Sequence, residues 1–210
     1  MSAIPPAAGP TVPLDERPYI IRTYDRWIIL VIVLVVGWLI FRPLIAFTVY
    51  YRGLSFERMF HLTDAEYYYR KSTRVDPKIP QGWLGWGELE YSRAPGDRVA
   101  RQNAITIFRT GLSYNPRTAS LAFDLGRAFF LDKQYTNARD AFVQSAQLNP
   151  TDMFSWDFAA WSSLRAGDTQ LARKYWHEVL KIDPGNATAA RQLAKLLQQG
   201  RIQSLSTWKS

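Results

Sequence analysis

Few residues of this chain have the type and spacing of a metal-binding or nucleophilic site. The 210 residues include no cysteine and only two histidines, His61 and His177. The lack of cysteine excludes disulfides, thiolate metal ligands and thiol nucleophiles. A zinc-binding helix needs a second histidine on the same face, which the pair His177-Glu178 lacks. We therefore expect no metal centre.

The glycines and carboxylates do not indicate phosphate binding or acid–base catalysis either. There is no Gly-Lys-Ser/Thr loop, and Gly82, Gly85 and Gly87 do not match a dinucleotide-binding fingerprint. Asp124 and Asp157 could approach each other, but carboxylates on amphipathic helices are usually solvated. We therefore expect no catalytic residue and no cofactor, and the chain is predicted not to be an enzyme.

The chemistry that remains is recognition by large apolar and cationic side chains. Such groups follow helical spacing on one face of residues 153–165, away from the face of Trp156 and Ala160 that we expect in the core. Tryptophan and arginine dominate binding hot spots, so we predict a partner site here. The alternative is that two of these aromatic groups pack against the next helix. The predicted partner-binding residues are Arg127, Phe154, Phe158, Trp161 and Arg165.

A pattern that repeats every 34 residues predicts the helices that carry these groups. Asn115-Pro116, Asn149-Pro150 and Asp183-Pro184 recur at that interval. A fixed period of this length indicates stacked helix-turn-helix units, and each proline ends a helix. The first copy contains Leu125-Gly126, Phe129, Tyr135, Ala138, Phe142 and Pro150, and the second contains Trp156, Ala159, Ala160, Gly167, Ala172, Trp176 and Pro184.

These residues resemble the tetratricopeptide repeat, and the resemblance covers about residues 46–199. It implies an all-α fold, an α-solenoid of helix-turn-helix repeats with a C-terminal capping helix. Small residues such as Gly126 let paired helices touch, while Phe142 and Trp176 fill the gap to the neighbouring repeat. The first helix of each repeat lines a concave groove, where we place the partner site. Asp124 and Phe158 occupy the positions with which some members clamp acidic peptides, so that activity is not implied.

The repeats divide the chain into four expected regions. They are a disordered Pro-rich tail at 1–18, a transmembrane anchor at 19–52, a repeat domain at 53–199 and a flexible tail at 200–210. Within the repeat domain we expect a degenerate repeat at 53–79, repeats at 80–118, 119–152 and 153–186, and a cap at 187–199. Thr63 or Asp64 is the expected N-cap of the second helix. The repeat at 80–118 has about five extra residues, which we assign to a longer turn around Ala94–Asp97.

An apolar run predicts a single membrane-spanning helix ahead of the repeats. Trp27 to Phe41 is fifteen residues without a charge, which covers roughly 22 Å of a hydrocarbon core about 30 Å thick. Counting through Tyr51 gives 25 residues with one charge, enough to span. A cleaved signal peptide and a buried core helix are the alternatives, and the acidic start disfavours the first. Interfacial anchor positions are predicted for Trp27, Trp38, Arg42, Tyr50 and Tyr51.

The net charge of +8 is spread over many helices without forming a run, which favours a solvated surface over nucleic-acid binding. We predict a membrane-anchored scaffold, assembly factor or small structural subunit of a membrane protein complex. Its partners would be other proteins and the lipid bilayer, and a homo-oligomer is left open. The alternative function is a basic module for an anionic polymer, either envelope polysaccharide or nucleic acid. We expect a bacterial inner membrane with the repeats on the periplasmic side; the cytoplasmic side is the alternative, since three arginines flank each end of the span.

Overall fold

The computed structural model describes the backbone of residues 19–207 and the side chains of residues 26–198. The expected disordered tail at 1–18 lies outside the described residues. The chain divides between Arg42 and Pro43 into two compact units. All regular secondary structure in the described range is α-helical. The helices are α1 (Tyr19–Arg58), α2 (Leu62–Val75), α3 (Pro80–Arg93), α4 (Arg98–Tyr114), α5 (Ala119–Leu131), α6 (Tyr135–Leu148), α7 (Met153–Arg165), α8 (Thr169–Ile182) and α9 (Ala187–Thr207).

Helix α1 carries the long apolar run. By length and composition, Arg26–Arg58 is the one stretch within residues 19–207 able to cross a membrane, with a mean hydropathy of 2.8. The large apolar side chains between Trp27 and Phe41 are all exposed. This part of α1 therefore presents a continuous apolar surface to its surroundings.

The part of α1 after Pro43 forms a helical hairpin with α2. Ser72 Oγ donates a 2.8 Å hydrogen bond to the carbonyl oxygen of Ala46, and the ring of Tyr50 stacks on that of Tyr69. Gly53 permits this approach, because a Cβ there would lie 2.8 Å from the Tyr69 ring. The first helix of this hairpin is thus the end of α1 from about Ala46, where the resemblance to the repeat begins.

The next three hairpins pair α3 with α4, α5 with α6 and α7 with α8. Their contacts are those implied by the repeat pattern: a Cβ on Gly126 would lie 2.7 Å from the Phe142 ring, so only glycine fits without a shift. Ala138 and Ala172 are fully buried on the second helices. Phe142 and Trp176 are also fully buried. The expected α-solenoid is confirmed.

The turns follow the repeat with one exception. Lys133 and Gly167 lie 34 residues apart, and both adopt positive φ angles (61° and 89°) between paired helices. The expected long turn in the repeat at 80–118 is instead a four-residue turn followed by a longer helix. Helix α4 has 17 residues, whereas the equivalent α6 has 14. Most of the extra length therefore continues the helix, because nothing in Arg98–Tyr114 breaks it.

Two helix ends also differ from expectation. The N-cap of α2 is His61, with no side-chain capping bond, and neither Thr63 nor Asp64 caps it. Helix α9 continues past Gln199 to Thr207, into the segment expected to be a flexible tail. Neither proline nor a β-turn sequence interrupts residues 187–207, so the helix has no local reason to end earlier.

Candidate partner-binding groove

The first helices of consecutive repeats, α3, α5 and α7, lie side by side and line one face of the solenoid. An ion pair joins Arg127 on α5 to Glu88 on α3 at 3.2 Å. The rings of Phe123 on α5 and Phe158 on α7 meet edge to face, with centroids 5.6 Å apart. These contacts position the residues of the predicted partner site on neighbouring helices.

Arg127 is the centre of a charged cluster on this face. Its guanidinium lies 2.9 Å from Asp124 Oδ1 and stacks over the Tyr91 ring, 4.2 Å from the ring centroid. Burial raises the pKa of Asp124 above its usual range, although the hydrogen bond from Arg127 opposes this shift. Arg127 is thus already engaged by two carboxylates and one ring, and only an edge of it is left for a partner.

Phe158 and Trp161 are partly buried by neighbouring aromatic rings. Phe158 stacks on the fully buried Phe142 at a centroid distance of 5.2 Å. Trp161 meets Trp176 edge to face at 5.4 Å. The packing alternative therefore accounts for part of each side chain, and the other part remains accessible on the groove face.

Asp157 lies beneath these tryptophans. Its Oδ1 accepts a 2.8 Å hydrogen bond from Trp176 Nε1. Burial raises the pKa of Asp157, although hydrogen bonds from Trp176 and Trp161 act in the opposite direction. The carboxylate thus orients both indoles.

Phe154 and Arg165 are the exposed members of the predicted group. Phe154 is 59% exposed, and Arg165 is exposed at the last turn of α7. They lie eleven residues apart on one helix, roughly 16 Å along its axis. The two residues therefore mark the ends of an accessible strip, with the edge of Trp161 between them.

The sequence interpretation missed that Glu88 and Tyr91 belong to this face. A signal was available, because Glu88, Arg127 and Trp161 each directly follow the small residue at which paired helices touch: Gly87, Gly126 and Ala160. Equivalent positions in adjacent repeats are neighbours in a solenoid. Opposite charges at that position in the repeats of α3 and α5 therefore predict the observed ion pair.

The predicted anchor residues fall in different surroundings. Trp27 and Trp38 are exposed at 66% and 53%, and Arg42 is half-buried. Tyr50 is partly buried, and its ring stacks on that of Tyr69 within the first hairpin. Tyr51 is 52% exposed.

No cluster of three or more histidine, cysteine or acidic residues that could hold a metal ion occurs in the part of the chain whose side chains are described.

Comparison with known proteins identifies the repeats. The family model described as Tetratricopeptide repeat matches residues 101–152. No curated protein sequence matches the chain significantly.

Solved structures share the fold at low sequence identity. MamA is 18% identical with a TM-score of 0.62, over 72% of this chain and 86% of that one. YrrB, described as a TPR protein with an unusual peptide-binding site, is 17% identical with a TM-score of 0.61, over 73% and 76%. PilF of Pseudomonas aeruginosa is 18% identical with a TM-score of 0.60, over 76% and 71%. At these identities the likeness shows the fold alone.

Tetratricopeptide proteins mediate protein–protein interactions and bind peptides. The family match at residues 101–152, the fold shared with these structures and the buried repeat residues agree with one another. Residues 101–152 therefore match the tetratricopeptide repeat family, and the helical hairpins on either side of them share its fold.

Proposed function

We propose that this chain is a membrane-anchored scaffold whose groove binds a partner protein of a membrane complex. The observation that carries the proposal is the strip on α7, where Phe154 is 59% exposed and Arg165 is exposed at the other end. More than half of this phenylalanine faces water, and burying it against a partner removes apolar area from water. YrrB, with a similar fold, is described as having a peptide-binding site.

The strip binds by presenting preformed contacts. Phe154 offers an apolar anchor and Arg165 an exposed planar donor, while Trp161 is held between them by its contact with Trp176. Because these groups lie on one packed helix, little conformational entropy is lost on binding. We expect a partner segment with an apolar residue and, about 16 Å away, a carboxylate for Arg165.

The discriminating experiment changes the two exposed residues and leaves Trp161 intact. The full-length chain carrying Phe154→Ala and Arg165→Glu is purified in mild detergent, and its co-purifying proteins are compared with those of wild type. We expect the helical circular dichroism to be unchanged and the principal partner to be lost. A Trp161→Ala variant is less informative, because it also removes the contact with Trp176.

A matched control changes an exposed aromatic residue and an exposed cation away from the groove. Tyr67→Ala with Lys174→Glu fits, since Tyr67 is 58% exposed on α2 and Lys174 is exposed on α8. This control should retain the partner. Recovery of the partner by the folded groove variant would refute the groove as its site.

The apolar part of α1 is the proposed anchor. Residues 27–45 cover roughly 28 Å as a helix, close to the thickness of a hydrocarbon core. Alkaline carbonate should leave the full-length chain in the membrane, and the mature protein should keep Trp27 when its N-terminus is sequenced. Extraction by carbonate would contradict the anchor, and cleavage after the apolar run would identify a signal peptide instead.

We further propose that the repeats lie on the periplasmic side of a bacterial inner membrane. The support is the cluster Arg17, Arg22 and Arg26 directly before the apolar run, which is typical of a signal anchor with its N-terminus inside. Protease added to spheroplasts should then digest the repeats. Protection until the cells are lysed would place them in the cytoplasm.

A further inference from the structure

We infer that the first two hairpins carry a headgroup-binding surface, which holds the solenoid against an anionic membrane. This inference rests on the proposed anchor and adds a second, electrostatic attachment to it. The surface consists of four exposed cations at one edge of the solenoid, which we call the basic edge: Lys71, Arg74, Lys78 and Arg117.

The contacts of the first hairpin determine which end of α2 lies nearest the apolar run. Phe56 stacks on Tyr68, Tyr50 on Tyr69, and Ala46 accepts the hydrogen bond from Ser72. The helices are therefore antiparallel, and later residues of α2 lie beside earlier residues of α1. The C-terminal end of α2 is level with Ala46.

Ala46 lies directly after the apolar run. It follows Phe41 by five residues, roughly 7.5 Å along a helix and at most about 18 Å in any conformation. Leu44 and Ile45 are still exposed, at 61% and 39%, whereas Ala46 is fully buried against α2. Helix α2 is polar, so the hydrocarbon core must end before the level at which α2 packs on α1. The C-terminal end of α2 is therefore at the depth of the lipid headgroups.

The charges of α2 are sorted along its length. Its acids, Asp64 and Glu66, lie in the first half, away from the Ala46 end. Lys71 and Arg74 are exposed in the second half, and Lys78 is exposed just beyond the helix. Helix α2 therefore turns its positive end toward the level of the headgroups.

The next repeat extends this edge. Asn115 Nδ2 donates a 2.9 Å hydrogen bond to the carbonyl oxygen of Pro77, which brings the turn with exposed Arg117 beside the turn with Lys78. Tyr114, 50% exposed and stacked on Trp83, lies at the same turn. A tyrosine beside cations is typical of a surface at the headgroup level.

These cations are not neutralised within the chain. Among residues 26–198, no carboxylate lies within ion-pair distance of Lys71, Arg74, Lys78 or Arg117. Asp76 is the nearest acid in sequence, but it is only 6% exposed and accepts a hydrogen bond from the backbone N–H of Lys78. Arg70 differs, because it pairs with Glu66 and stacks over Trp86.

Charge complementarity selects an anionic lipid headgroup as the occupant. Each basic side chain near an anionic surface contributes about a fivefold preference, and the attraction decays within a Debye length. Four such groups on a tethered domain suffice to hold one edge of the solenoid down.

The absence of cysteine makes the surface directly measurable. A fluorophore is attached to the full-length chain at Ser113→Cys, an exposed position at the basic edge, or at Thr136→Cys, an exposed position at the start of α6. The protein is reconstituted into phosphatidylcholine vesicles with or without about 30% phosphatidylglycerol. A quencher on the lipid headgroups reports the distance of each label from the membrane surface.

In anionic vesicles we expect the label at position 113 to be quenched more strongly than the label at position 136. This excess in quenching should shrink in neutral vesicles or in about 1 M salt. Lys71→Glu with Arg74→Glu should reduce the excess at least twofold, and so should Lys78→Gln with Arg117→Gln. The charge-matched control, Lys174→Glu with Arg191→Glu on α8 and α9, should leave it unchanged. Circular dichroism checks that each variant is folded.

The outcomes separate this inference from the anchor. Extraction by alkaline carbonate from both types of vesicle would refute the anchor itself. Retained protein whose quenching is the same for wild type and for both folded basic-edge variants would refute the headgroup surface alone. Charge-dependent binding seen only after an acidic partner protein is added would also refute it, because the occupant would then be a protein.

Discussion

Replacement of Trp176 tests the packing between repeats most directly. Its side chain is fully buried, it meets Trp161 edge to face, and its Nε1 donates to Asp157. A buried tryptophan removes about 150–250 Å² from water, which corresponds to roughly 4–6 kcal/mol at about 25 cal/mol per Å². An alanine side chain still buries a small part of that apolar area, so Trp176→Ala should lower the free energy of unfolding by about 3–5 kcal/mol.

A Trp176→Phe control separates the ring from its N–H group. Phenylalanine keeps most of the apolar volume but leaves the half-buried Asp157 without this donor. The expected loss is about 1–3 kcal/mol, as for a hydrogen bond to a charged group. Urea unfolding of the full-length chain in detergent, followed by circular dichroism, measures both variants against wild type.

Hydrogen exchange then reports where the structure loosens. In a quasi-linear array each repeat is stabilised by its neighbours, so α7, α8 and α9 should lose protection first and α3 and α4 last. An unchanged unfolding curve for Trp176→Ala would refute the role of this residue in the repeat core. Equal loss of protection from α2 to α9 would refute the quasi-linear coupling.

Three further changes test other parts of the structure. Gly126→Ala should lower the free energy of unfolding by about 1–3 kcal/mol through overpacking, whereas Gly96→Ala, which meets open space, should change it by under about 0.5 kcal/mol in urea titrations. Burial raises the pKa of Asp157, so ionisation of this carboxyl lowers the free energy of unfolding as pH rises above the unfolded pKa near 3.8. The Asp157→Asn variant does not ionise. The difference in stability between this variant and wild type should therefore shift in favour of the variant between about pH 4 and about pH 7. Ser72→Ala should cost about 1 kcal/mol and expose the α2 end to faster hydrogen exchange.

The 34-residue period was enough to predict the helices and most of the core. Gly126, Ala138 and Phe142 meet within one hairpin, so their contacts depend on short separations that recur in every repeat. Lys133 and Gly167 take equivalent left-handed turn positions in the structure, but Lys133 has no residue signal for that backbone. The pattern weakened where the repeat at 80–118 lengthens, because extra residues can extend either a turn or a helix.

The state of each groove residue was decided by contacts between repeats. Arg127 is engaged by Glu88, 39 residues away, and Phe158 rests on rings from two other helices. Side chains of adjacent first helices meet only after the solenoid stacks, and the stacking depends on every hairpin at once. The sequence therefore predicted which residues share a face, but not that Phe154 and Arg165 are its exposed members.

The apolar run and the cations after it were evident from composition, since both depend on residue type alone. Composition did not show that the cations of α2 lie beside the residues just after the run, because Lys71 lies thirty residues beyond Phe41 in the chain. The hydrogen bond from Ser72 to Ala46 and the antiparallel stacking of Tyr50 on Tyr69 place the basic end of α2 beside the residues that follow the run. Composition determined the apolar run and the excess of cations, whereas the tertiary fold determined that the basic end of α2 packs beside Ala46, because a helical hairpin reverses the chain and pairs residues distant in sequence.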